Sequence, residues 1–167
     1  MWQKILAKFK RYPAQGKVVR LILERGFQVN DRGRVVSGNI EIPHAQIAKE
    51  LGVDRRVVDT TAMAICQDEG LKKVFENVRS MPFLGEVAPV IGLGVIVITP
   101  LDATQTGLLG GVAGAVAKYG LSIRQAISDD PFFVEQPKLT IITDGKIPGD
   151  LVGLLMEIDG VRRVTVY

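Results

Sequence analysis

Few side chains in this sequence can carry reaction chemistry. Cys66 is the only cysteine and His44 the only histidine among 167 residues. One thiol excludes an internal disulfide and a cysteine-based zinc site, and one imidazole removes multi-histidine catalytic metal centres. Neither a phosphate-binding glycine loop nor a nucleophile elbow occurs in the sequence. No basic residue flanks Cys66, which reads as a small packed residue rather than a nucleophile. His44 falls in the first turn of a helical stretch, where the helix dipole disfavours a cationic imidazole, and it reads as a surface residue. Asp129 and Asp130 stand before Pro131 and read as a turn rather than a cation site. The expectation is therefore a protein that is not an enzyme and needs no cofactor or metal.

Two other groups of residues suit binding. The stretch PLDATQTGLLG (100–110) carries a single acid, Asp102, ahead of a glycine-rich helical run. Free amides at Gly107 to Leu109 can receive a carboxylate, and Asp102 can pair with an ammonium group. Asp102 can equally form a turn, and Thr104 or Thr106 can cap the helix. The second group is DRRVVDT (54–60), in which Asp54 caps a helix and Arg55, Arg56, Asp59 and Thr60 face outward near its start. Arg at such positions can read guanine edges in a major groove, while Lys49, Arg32 and Arg34 can touch phosphates. The two acids also leave that helix start near neutral, which suits a protein-docking surface.

These residues need elements to position them. After Pro13 a helical pattern runs to Gly26. Alternation and turn residues over 27–42 predict a hairpin or small three-stranded element. Pro43 opens a helix, PHAQIAKEL, that stops at Gly52. The run IAKELGVDRRVV (47–58) holds a small residue (Ala48), a turn glycine (Gly52) and a branched apolar residue (Val58) at the spacing of a helix-turn-helix. Ile47, Leu51 and Val53 fill the angle between its helices. Met81 to Gly85 breaks the pattern, so the expected domains are 1–80 and 84–167.

The second part alternates strand and helix. Strands are expected at 93–98, 121–128, 138–143 and 161–167, and helices at 106–119 and 149–158. The order β-α-β-β-α-β is a ferredoxin-like split plan, which makes the overall class α+β. The first and third strands, LGVIVI and KLTIIT, are the least polar and belong at the sheet centre. The first is apolar on both faces, so the face away from the helices must also be covered: by the first domain, by 84–92 or by a second chain. A homodimer is expected, with edge pairing of strand 121–128 as one route.

The stretches IAKELGVDRRVVDTT, GLGVIVI, LSIRQAISDDP and PKLTIIT resemble archaeal regulators of amino-acid metabolism that join a helix-turn-helix to an ACT domain. The resemblance covers nearly the full length. It implies that the second domain binds a small ligand, usually an amino acid, through the loop after its first strand. The residues concerned here are Asp102, Ala103, Thr104, Thr106, Gly107 and Leu108. Many amino-acid-binding members open the helix with Pro-Gly, where this chain has Thr106-Gly107. Arg124 and Gln125 of a partner chain complete the site, or else form a solvated edge. Two functions follow: a ligand-responsive transcriptional regulator contacting double-stranded DNA through Lys49, Arg55, Arg56, Asp59 and Thr60, or a regulatory subunit that docks on an amino-acid biosynthetic enzyme.

Bulk properties agree with two dissimilar parts. The composition is 47% hydrophobic and 23% charged, as in a folded globular protein. Residues 1–83 carry 15 Lys+Arg against 9 Asp+Glu, and residues 84–167 carry 6 against 9. Much of the basic excess sits before residue 26, away from the expected reading helix. The start, MWQKILAKFKRYP, places Trp2, Ile5, Leu6 and Phe9 opposite Lys4, Lys8 and Lys10, and reads as a packing or surface-binding helix rather than a secretion signal. The longest uncharged apolar run, Val87 to Ile98, is shorter than the ~20 residues of a membrane span. A cytoplasmic protein without membrane contact is expected.

Overall fold

Glycine and proline decide where most elements begin and end. The computed structural model describes Ile5 and residues 7–167; Trp2, Lys4 and Leu6 of the amphipathic start lie outside the described residues. The chain divides into two units, Met1–Pro82 and Phe83–Tyr167.

In the first unit, helix α1 (Pro13–Glu24) starts on its proline, whose missing N–H costs nothing in a first turn. Strands β1 (Gln28–Val29), β2 (Val35–Ser37) and β3 (Ile40–Glu41) form an antiparallel sheet in that order. Helix α2 (His44–Leu51) ends at Gly52, which sits at φ +62°, ψ +37°. Val53 N–H then donates to the Ala48 carbonyl at 3.0 Å and Gly52 N–H to the Lys49 carbonyl at 3.3 Å. These two bonds close a helix end through a left-handed residue, a conformation that a side chain disfavours. Three residues later the chain is helical again. Helix α3 (Arg55–Gln67) is capped by Asp54, whose carboxylate accepts from Arg56 N–H at 2.8 Å. Helix α4 (Glu69–Asn77) is capped by Asp68 in the same manner, from Leu71 N–H at 2.9 Å.

One core joins these pieces. Val18, Val19 and Ile22 of α1 meet Ile47 and Ala48 of α2, Val58, Ala62 and Ile65 of α3, and Phe75 of α4. Leu51 and Val53 pack on it from the α2–α3 turn. Ile5 and Phe9 are buried in it as well. The run Thr60–Cys66 is buried mainly on one side: Thr61, Ala62 and Ile65 are inside, whereas Thr60 and Met63 are exposed.

The second unit begins with a short 3-10 turn, Pro89–Ile91. It continues as β4 (Gly94–Pro100), α5 (Leu108–Lys118), β5 (Ile123–Ser128), β6 (Leu139–Thr143), α6 (Gly149–Met156) and β7 (Val161–Val166). The sheet is antiparallel throughout, in the order β5-β6-β4-β7. The least polar strands, β4 and β6, are thus central, as burial on two faces demands. Ile96, Ile98 and Ile141 face Val112 and Val116 of α5 and Leu151 and Leu155 of α6. On the opposite face Val95 and Ile142 pack with Ala88, Leu84 and Leu93, so the 84–93 segment covers one end of it. Both outer strands carry a bulge. In β5, Ile123 and Gln125 face consecutive residues of β6, leaving Arg124 as the extra residue. In β7, Arg163 and Val161 face Thr99 and Pro100, leaving Arg162 as the extra residue. The molecule is an α+β protein with helices and two antiparallel sheets.

Candidate functional sites

The loop between β4 and α5 is built around Asp102. Its Oδ1 accepts from the Thr104 hydroxyl at 2.7 Å and from the Thr104 N–H at 2.8 Å. That hydroxyl, then the amide, holds the Asp102 carboxyl below the usual carboxylate range. The loop is fastened at two further points. Leu101 N–H donates to the Gly160 carbonyl at 2.8 Å, and the Gln105 amide donates to the Asp159 carboxylate at 2.9 Å.

The helix start after this loop differs from expectation. Helix α5 begins at Leu108, and its cap position is Gly107 at φ +87° with no side-chain cap. Thr104 has turned to Asp102, and Thr106 does not cap either. The positive φ at Gly107 reverses the chain directly into the helix and leaves no threonine at the capping position. The first-turn amides of α5 therefore have no side-chain acceptor. Asp102, Thr104, Thr106 and Gly107 are exposed, and Ala103 and Leu108 half-buried. Gly110 and Gly114 face open space on α5, and only Gly111 approaches a neighbour, Ile158.

Arg124 and Gln125 lie apart from one another in role. Arg124 is the exposed bulge residue of β5, and the Gln125 side-chain oxygen accepts from Leu84 N–H at 3.0 Å. Asp130 forms the expected turn, accepting from Phe132 N–H at 2.8 Å, and Asp129 accepts from Lys138 N–H at 3.1 Å. Among the described residues no cluster of His, Cys, Asp and Glu could hold a metal ion.

On the uncovered part of the second unit's sheet, a cavity of about 600 Å³ is lined by Val97, Thr99, Thr165, Lys138, Arg162 and Arg163, among others. Leu101 and Ala103 reach it from the β4–α5 loop; Asp102, Thr104, Thr106, Gly107 and Leu108 are not among its lining residues. Sequence reasoning missed this cavity, because VRRVTV reads as plain alternation with one arginine on each face.

In the first unit Arg55 and Arg56 are exposed, with Arg56 93% exposed at its side chain. Each lies near an acid: Arg55 Nε is 3.5 Å from Asp59, and Arg56 Nε is 3.9 Å from Asp54. Lys49 is exposed on α2. The Thr60 hydroxyl donates to the Arg56 carbonyl at 2.7 Å, along its own helix. Asp59 points partly inward: its Oδ1 lies 2.6 Å from His44 Nδ1. His44 is thus corrected from a surface residue to a buried one, 5% exposed, held between α3 and β2. Cys66 is half-buried, its thiol donating to the Asp31 carbonyl at 3.2 Å.

Among the described residues no helix is long and apolar enough to cross a membrane. No protein-family model and no curated protein matches the chain. Among solved structures it is similar to a mutant of Rv3291c, at 14% identity over 92% of this chain and 89% of that one, with a TM-score of 0.27. It is also similar to a transcriptional regulatory protein of the ASNC family from Pyrococcus furiosus, at 12% identity over 92% of this chain and 85% of that one, again with a TM-score of 0.27.

Proposed function

We propose that this chain is a non-enzymatic regulatory protein of amino-acid metabolism. In this reading residues 84–167 form an ACT-type ligand-binding domain and residues 1–80 a helix-turn-helix domain. The observation that carries it is the joining, in one chain, of two units. One holds the helix pair α2–α3, turned on Gly52; the other is a β-α-β-β-α-β sheet ordered β5-β6-β4-β7. An amino acid binds through its carboxylate at the uncapped start of α5 and through its ammonium group near Asp102. Ligand binding biases a homodimer and so the affinity of the helix-turn-helix for double-stranded DNA.

The test has two arms. Calorimetry with the proteinogenic amino acids at millimolar concentration should find one that binds; no heat from any of them ends the sensing half. Anisotropy with labelled duplex DNA should show binding that weakens steeply with salt, because Lys49, Arg55 and Arg56 displace counterions. Absent or salt-insensitive binding ends the DNA half.

A second reading rests on the neutralised start of α3. Asp54 and Asp59 stand beside Arg56 and Arg55, and Asp59 is also committed to His44. Such a helix start suits docking on an amino-acid biosynthetic enzyme. Recovery of that enzyme, and not DNA, by the immobilised protein would favour it.

A further inference from the structure

We propose that the part of the second unit's sheet face beyond the 84–93 segment is a binding site for a small dianion, held by Arg162 and Arg163. In a regular strand, neighbours point to opposite faces, so only one of two consecutive arginines can serve a given side. The bulge at Arg162 removes that limit. Thr99 faces Arg163 and Pro100 faces Val161, so Arg162 is inserted between them. Val161 stays in the core under the helices, while both arginines line the same cavity. A bulge that re-aims a side chain is a common feature next to binding sites.

Charge is concentrated there against the trend of the unit. Residues 84–167 hold 6 Lys+Arg and 9 Asp+Glu. Three of those cations, Lys138, Arg162 and Arg163, line this one cavity, whereas Glu135 is its only lining acidic side chain. Among the described residues none of the three cations forms an ion pair. The lining side chains are therefore net positive, which favours an anionic ligand. Two guanidinium forks on one side suit the paired oxygens of a carboxylate or phosphate. Thr99, Thr165 and Tyr167 add hydroxyl groups to the lining, and Val97 and Leu101 supply apolar contact. The volume of about 600 Å³ lies within the range of small-molecule sites, roughly 300–1,000 Å³.

The shared chemistry is a compact dianion, either a dicarboxylate or a phosphate. The proposal does not rest on amino-acid sensing, which concerns residues 102–108. Titration of nitrogen-15-labelled protein with succinate and, separately, with inorganic phosphate tests it. Saturable shifts of the Thr99, Arg162, Arg163 and Thr165 amides are expected with at least one probe, and the tighter probe identifies the class. The double variant Arg162→Gln, Arg163→Gln should weaken that binding about tenfold or more, while Arg124→Gln, on the opposite edge, should leave it unchanged. Both arginines are exposed, so the variants keep the fold, and their spectra show whether they do. Three results would overturn the proposal: no saturation with either probe, equal binding by the double variant, or shifts confined to residues 102–108.

Discussion

His44 Nδ1 lies 2.6 Å from the Asp59 carboxylate while its Nε2 accepts from Val35 N–H at 3.2 Å. Since Nε2 is occupied as an acceptor, the ring proton resides on Nδ1 and is donated to Asp59. One neutral imidazole thus ties the first residue of α2 to strand β2 and to helix α3. The contact fixes the base of the helix pair on which the DNA-binding reading depends.

Removing either partner should loosen that pair. His44→Ala leaves the Val35 amide and the Asp59 carboxylate without their partner, and a loss of about 1–3 kcal/mol is expected. Asp59→Ala should cost less, because Asp59 is 40% exposed at its side chain and water can replace part of its role. Urea unfolding of the two variants checks both the size and the order.

Gly52→Ala should destabilise the first unit by about 1–2 kcal/mol through backbone strain, because the residue sits in the left-handed region with no neighbour within 4 Å of an added Cβ. Gly52→Asn, which tolerates that conformation better, should recover part of the loss. Thermal melts of the three proteins suffice; equal melting of the alanine variant and the parent would contradict the argument.

Each unit has its own core, so damage should stay local. Phe75 is fully buried in the first unit, and Phe75→Ala should cost about 3–5 kcal/mol there. Hydrogen exchange should then quicken across α1 to α4 while the amides of β4 and β6 keep their protection. Equal acceleration in both units would show that they unfold together.

Acid should weaken the first unit through two carboxylates. Lys72 Nζ lies 2.5 Å from Asp31, and Lys8 pairs with Asp68. Their hydrogen bonds to lysine hold both carboxyls below the ordinary carboxylate range. The stability they contribute is therefore present above that range and is lost as pH falls through their lowered values. Lys72 is raised by Asp31, so its contribution is full below the ordinary lysine range and fades as pH climbs above it. Asp31→Asn should flatten the acid limb of a stability–pH profile; both pairs are exposed, so the effect is small.

Thr104→Val should let the Asp102 carboxyl rise toward its ordinary value, because the largest cause of its lowering is the Thr104 hydroxyl. A carbon-13 titration of the carboxyl reads this directly. Asp102→Ala should speed exchange at Thr104, whose amide donates to the Asp102 carboxylate at 2.8 Å.

Most element limits were legible to within a few residues because Pro13, Gly26, Pro43, Gly52, Gly120 and Gly160 punctuate the chain. The central positions of β4 and β6 followed from their lack of polar residues. What stayed hidden was tertiary. The burial of His44 depends on Val35 and Asp59, 9 and 15 residues away in the chain. The freedom of Thr106 depends on the backbone angle of Gly107. The shared orientation of Arg162 and Arg163 depends on a slip in pairing with β4, which no alternation pattern announces.

That slip also bears on how copies of this protein behave when crowded. β5 and β7 are the edge strands of the second unit's sheet, and each is broken by an inserted arginine, Arg124 or Arg162. A charged, kinked border interrupts the continuous row of amides and carbonyls that strand-by-strand stacking requires. Any pairing along β5 is thereby restricted to the stretch beyond Arg124. The same irregularities that aim side chains should keep the sheet from growing into fibrils.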